Sequence, residues 1–214
     1  MKILALLGFL SISSISSIPL STYCLTEGDL IVDYGEGGVS FDQSQGWSIT
    51  GSGKVSSRNS WNMLDGYISF FMNLKDTADS INTNFYLSSI SEPNQGSSTY
   101  CDIQLNPGCM ELDIIENNGR CSLASTIHNL PNDGTPNNQN CDRWAYVSSL
   151  RLPSNDNMTF AVVASFGEDG SITVEVDGQS SDSFNPFPSS DSNEVVVENM
   201  KSVGAVIESS QWFG

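Results

Sequence analysis

The chain has 214 residues, with 25 acidic against 8 basic side chains and a formal charge of −17. That balance excludes nucleic acid and anionic membranes as partners, because both are held through basic patches. It suits a solvated extracellular surface, or a carboxylate-rich cleft that binds a neutral polymer such as a polysaccharide.

The amino terminus runs Met1-Lys2, then the apolar stretch Ile3 to Leu10, then a Ser/Ile segment ending near Pro19. A short basic start followed by a brief apolar core is the pattern of a secretory signal peptide. Serines interrupt it well short of the roughly 20 continuous apolar residues that a spanning helix needs. Residues 1–21 are therefore expected to be a leader, set aside from the fold, and the protein is expected to be secreted and extracellular. Residues 22–214 have the size of one β-sandwich domain.

Five cysteines remain: Cys24, Cys101, Cys109, Cys121 and Cys141. Outside the cell they favour disulfides over metal ligation, and a single histidine with no C-x-x-C pair weakens a zinc reading further. Two bridges are expected within residues 101–141, with Cys24 left over or paired in place of another. Asn157-Met-Thr159 is a glycosylation sequon.

Strand patterns dominate the rest. Tyr67 to Leu74 alternates, with Ile68, Phe70, Met72 and Leu74 on one face. In Ile81 to Leu87, Ile81, Thr83, Phe85 and Leu87 face one way and Asn82, Asn84 and Tyr86 the other. Phe160 to Phe166 is apolar on both faces, and Gly167 to Gly170 turns it into the alternating Ile172 to Val176, a hairpin. Val195-Val-Val197 and Val203 to Ile207 are read as two further strands, and Pro131 to Asn140 and Ser180 to Asn193 as polar loops. Many short strands with Gly, Pro and Asn between them predict an all-β fold of two antiparallel sheets.

The chemistry concentrates in Glu111-Leu-Asp113-Ile-Ile-Glu116. Glu111 and Asp113 share a strand face while Leu112 and Ile114 point to the core. Strict alternation sends Glu116 to the opposite face, but a β-bulge at Ile114-Ile115 returns it. Four strand steps then put the two glutamate Cα atoms roughly 13 Å apart. Their side chains lean inward to leave the carboxyls ~5–6 Å apart, against the 5–5.5 Å of retaining glycosidases. Three carboxyls this close cannot all ionise. A solvated acidic face and a calcium site are the other readings of the same residues. Further polar residues share faces nearby: Tyr100, Asp102 and Gln104, then Asn82, Asn84 and Tyr86, then Thr126 and His128. Such a surface meets sugar hydroxyls, and aromatic side chains stack on sugar rings. Trp212 is taken as a platform; Trp47, Trp61 and Trp144 are weaker candidates, since a lone tryptophan is usually core.

In these residues the sequence resembles glycoside hydrolase family 7, and more distantly family 16. Cys109-Met-Glu-Leu-Asp-Ile-Ile-Glu-Asn-Asn118 resembles the family 7 pattern Cys-x-Glu-Met-Asp-Ile-Trp-Glu-Ala-Asn. Tyr100-Cys-Asp-Ile-Gln104, Asn82 to Tyr86 and Ala124-Ser-Thr-Ile-His128 resemble three further family elements, in the family's order. The resemblance covers residues 65 to 212. It implies a concanavalin-like β-jelly-roll sandwich of two curved antiparallel sheets with a concave substrate cleft. It implies a retaining two-glutamate mechanism on a β-linked glucan, with β-1,4-glucan foremost. Glu111 is then the nucleophile, Glu116 the acid/base and Asp113 the nucleophile's assistant. Asn82, Tyr86, Tyr100, Asp102, Gln104 and His128 then line subsites. No cofactor or metal is implied, and a monomer is expected. The chain lacks the long connections of family 7, which implies an open cleft and internal cutting. Ile115 and Asn117 stand where the family has tryptophan and alanine. A non-catalytic polysaccharide-binding protein on the same scaffold is the alternative.

Overall fold

The computed structural model describes residues 2–9, 21–42, 46–75, 77, 81–89, 110–117, 122–128, 144–151, 158–177, 179–180 and 190–213. Along the chain these form β1 (Lys2–Phe9), β2 (Ser21–Cys24), β3 (Leu30–Tyr34), β4 (Val39–Asp42), β5 (Gly46–Ile49), β6 (Gly53–Trp61), β7 (Tyr67–Asn73) and β8 (Ile81–Ser88). Then follow β9 (Glu111–Asn117), β10 (Ser122–His128), β11 (Trp144–Arg151), β12 (Thr159–Phe166), β13 (Ile172–Val176), β14 (Gln179–Ser180), α1 (Ser190–Ser202) and β15 (Ala205–Phe213).

The strands make two antiparallel sheets. One runs β14-β13-β12-β7-β1-β5-β4, with β2 paired to β1; the other runs β11-β10-β9-β8-β15-β6-β3. The all-β sandwich read from the strand pattern is therefore the fold. Neighbours in each sheet are distant in sequence: β15 lies between β6 and β8. The site is consequently assembled from residues that no local motif links.

Alternation explains the core. Ile68, Phe70 and Met72 of β7 and Phe160, Val162 and Ala164 of β12 are buried against Phe85 and Leu87 of β8 and Leu112, Ile114 and Ile115 of β9. The Phe70 and Phe85 rings stack across the layers with centroids 3.9 Å apart, and Trp47 stacks on Phe85 at 6.5 Å. Full burial of one such aliphatic or aromatic side chain contributes about 1.5–3 kcal/mol. Trp47 is thereby a core residue, 3% exposed, and not a sugar platform. The β12–β13 hairpin forms as expected, Phe166 pairing with Ile172 across a turn in which Gly170 has φ +80°.

Two expectations need correction. Val195 to Val197 is not a strand, and the segment from Ser190 is not loop: both lie in α1. Val196 and Met200, four residues apart, are fully buried and join the core, the helical spacing that a run of three valines masks. The helix stops at Gly204, φ +79°, where the amides of Val203 and Gly204 both donate to the Asn199 carbonyl. The apolar run read as a leader forms β1 (residues 2–9), between β5 and β7 and registered along β7 from Lys2↔Asn73 to Gly8↔Tyr67.

Candidate active site

β9 carries the three acids at the middle of its sheet, between β8 and β10. One step along β8, from Phe85 to Tyr86, spans two along β9, from Ile115 to Asp113. Two steps along β10, from Ala124 to Thr126, span three along β9, from Glu116 to Asp113. Both neighbours thus mark one additional residue at Ile114–Ile115, the bulge that the spacing predicts. Leu112, Ile114 and Ile115 all enter the core. Glu111, Asp113 and Glu116 therefore share the face turned away from it. Glu111 is 6% and Asp113 7% exposed, while Glu116 is half-buried.

The β8 side chains complete that face. Ser88 lies directly across from Glu111, Tyr86 from Asp113 and Asn84 from Glu116. The Asn82 amide donates to Glu116 Oε1 at 2.7 Å. Such a charge-assisted bond fixes the carboxyl's rotamer. Across β8's other edge, β15 brings Glu208 to Tyr86, Ser210 to Asn84 and Trp212 to Asn82. Trp212 is 42% exposed, at the end of the face where Glu116 also reaches solvent. On β10 the register sets Thr126 against Asp113 and His128 against Glu111. Tyr100, Asp102 and Gln104 lie outside the described residues, as do Cys101, Cys109, Cys121, Cys141 and Asn157. Cys24 is exposed with a free thiol. Trp61 is partly buried beside Tyr23, and Trp144 is placed by register alone, across from His128.

Sequence reasoning missed a group on the same face. Lys54 of β6 pairs with Glu208 and lies 3.7 Å from Asp33 of β3. Ser88 donates to Glu208, and Ser56 donates to Asp33. Burial pushes the Asp33 carboxyl up, against the Ser56 hydroxyl and the Lys54 charge, which hold it down. Burial also raises the neighbouring Tyr34 phenol, helped by the charges of Asp33 and Glu208. Nothing in Gly53-Lys-Val-Ser-Ser57 signals a buried lysine; its partner is more than 150 residues away.

A cavity of about 1220 Å³ lies elsewhere, lined among others by Trp47, Phe70, Phe71 and Val162. Its walls come chiefly from β5, β7 and β12 and the segment from Cys24 to Gly28, and no β9 residue borders it. Size alone does not make it the site. The convergent polar groups are on the other sheet.

No protein-family model matches the chain, and no characterised protein sequence matches it. Its fold is similar to several solved structures. One comes from work on endo-acting O-glycanases that prominent members of the human gut microbiota express to initiate mucin breakdown. It has 16% identity and a TM-score of 0.50, covering 99% of this chain and 64% of that one. An endo-β-1,3-glucanase from Pyrococcus furiosus has 15% identity and a TM-score of 0.47, covering 88% and 68%. SCLam, a non-specific endo-β-1,3(4)-glucanase from family GH16, has 13% identity and a TM-score of 0.46, covering 79% and 54%. The chain spans less than two thirds of the first and third of these structures. At such identities the likeness is one of fold alone.

Proposed function

We propose that the chain is a secreted, retaining glycoside hydrolase that cuts a β-linked glucan internally. One observation carries this reading: the bulge at Ile114–Ile115 turns Glu111, Asp113 and Glu116 to one sheet face. Glu116, half-buried and held by Asn82, protonates the leaving glycosidic oxygen. Glu111 attacks the anomeric carbon, and Asp113 between them steadies the nucleophile. Water then gives a proton to Glu116 and releases the sugar from Glu111 with its configuration retained. Trp212 offers a ring platform beside Asn82. Asn82 and Tyr86, with Tyr100, Asp102, Gln104 and His128, are assigned to the sugar subsites. A β-1,4 linkage is favoured by the order of the motifs alone.

The test is product analysis on β-1,4, β-1,3 and mixed-linkage glucans, with Glu111→Gln and Glu116→Gln alongside. Reducing ends released by the unmodified protein and by neither variant are the expected result. Full activity in either variant removes its assigned role. The near-complete burial of Glu111 and Asp113 favours a second reading, a glycan-binding protein without turnover. Tight glucan binding with no product between acidic and neutral pH would establish it instead.

A further inference from the structure

Lys54 is 2% exposed, and Glu208 is fully buried. Taking such charges out of water is costly, and well-packed apolar residues of similar volume hold a fold at least as well. Stability therefore does not account for the cluster. Its placement does. Ser88, across from Glu111, is bonded to Glu208. Tyr86, across from Asp113, has Glu208 on its other side, and the Lys54 ammonium lies 5.8 Å from its ring centre. Asn84, across from Glu116, accepts at 2.5 Å from Ser210, which itself lies across from Lys54.

We propose that Lys54 and Glu208 are positioning residues, holding Ser88 and Tyr86 against Glu111 and Asp113 and setting the electrostatic field at the nucleophile. The inference rests on the glycosidase reading above. The titratable groups around the pair are Asp33 and Tyr34 on β3, Tyr86 on β8, and Glu111, Asp113 and Glu116 on β9, with His128 of β10 across from Glu111. Removing a negative charge from this set makes a neighbouring carboxylate easier to ionise, and removing the positive charge makes it harder.

The experiment measures kcat/KM against pH on a soluble β-glucan for the full chain, Glu208→Gln and Lys54→Met, with the melting temperature of each. Glutamine keeps an acceptor for Ser88 and leaves Asp33 beside Lys54, so Glu208→Gln is expected to retain the fold. Its acid limb is expected to move down by about half a pH unit, the effect of one charge roughly two strand spacings away. In Lys54→Met the limb moves up by a similar amount. In both, kcat falls about tenfold while KM changes less than twofold, an effect on the barrier rather than on uniform binding. Opposite shifts are the mark of charge; lost packing moves both limbs alike or neither. Unmoved limbs, or shifts of the same sign, overturn the proposal. Should Lys54→Met not fold, Glu208→Gln decides alone, and an unmoved limb there overturns it. An unmodified protein with no turnover on any glucan sinks the glycosidase reading and this inference together. An active one with unmoved limbs sinks the inference only.

Discussion

The Asn82 amide donates to a Glu116 carboxylate oxygen at 2.7 Å. A hydrogen bond to a charged group contributes about 1.5–3 kcal/mol. Asn82→Ala frees the Glu116 rotamer, so kcat is expected to fall about tenfold, or about 1.4 kcal/mol, with the melting temperature little changed. An unchanged kcat would separate the Asn82 bond from acid catalysis. Asp33 gives a prediction with the opposite emphasis, on stability. Its carboxyl is raised by burial, so the folded chain holds that proton longer than the unfolded one. Its contribution is complete below the unfolded value near 3.9 and is lost as pH rises through the folded value. Asp33→Asn therefore loses less melting temperature than the unmodified chain between pH 4 and pH 7. Parallel curves in thermal melts would show that Asp33 does not titrate in that window. At this scale the β9 acids were legible because their spacing is local. Asp33, Lys54 and Glu208 were not, because a charged residue in a polar stretch reads as surface until a strand from elsewhere in the chain is laid beside it.

β9 shows how far an element can be read. Two adjacent isoleucines break the alternation of Glu111 to Glu116, and both prove to be core residues on either side of a bulge. Deletion of Ile114 removes the additional residue, and strict alternation then keeps Glu116 on the face of Glu111 and Asp113. The deletion is expected to retain turnover while costing about 2–5 kcal/mol, the loss of one buried isoleucine. Urea unfolding and product release measure the two effects. Turnover lost from a variant that still unfolds cooperatively would show that alternation does not set the face of Glu116. α1 was illegible for the converse reason. Three consecutive valines have the composition of a strand, and only Val196 and Met200 together display the helical period. β6 escaped notice because both its faces are buried: Val55 enters the core, while Lys54 and Ser56 are sealed on the site face. A strand buried on both sides with polar residues on one of them offers no alternation of hydrophobicity to read.

The two sheets stand differently toward the amino terminus. The sheet with the acids is made entirely of strands from residue 30 onward. The other has β1 in its interior, paired on one edge with β7 and on the other with β5 and β2. Processing near residue 21, as the leader pattern predicts, removes that strand and leaves two backbone edges without their ladder. β7 still has β12 beyond it, and its inward side chains Ile68, Phe70 and Met72 still meet the core. The cavity walls formed by Trp47, Phe70 and Phe71 then face a slot the width of a strand. An open interior edge of this kind invites pairing with another chain. A chain beginning at residue 22 is therefore expected to melt about 10 °C below the full chain, a loss of a few kcal/mol at this size. It is also expected to bind a hydrophobic dye and to self-associate as its concentration rises. Calorimetry and light scattering on the two chains check this. Equal melting temperatures, with no dye binding and no association, would place residues 2–9 outside the cooperative fold. The ladder that carries the acids is intact in either case, because no strand of their sheet pairs with β1.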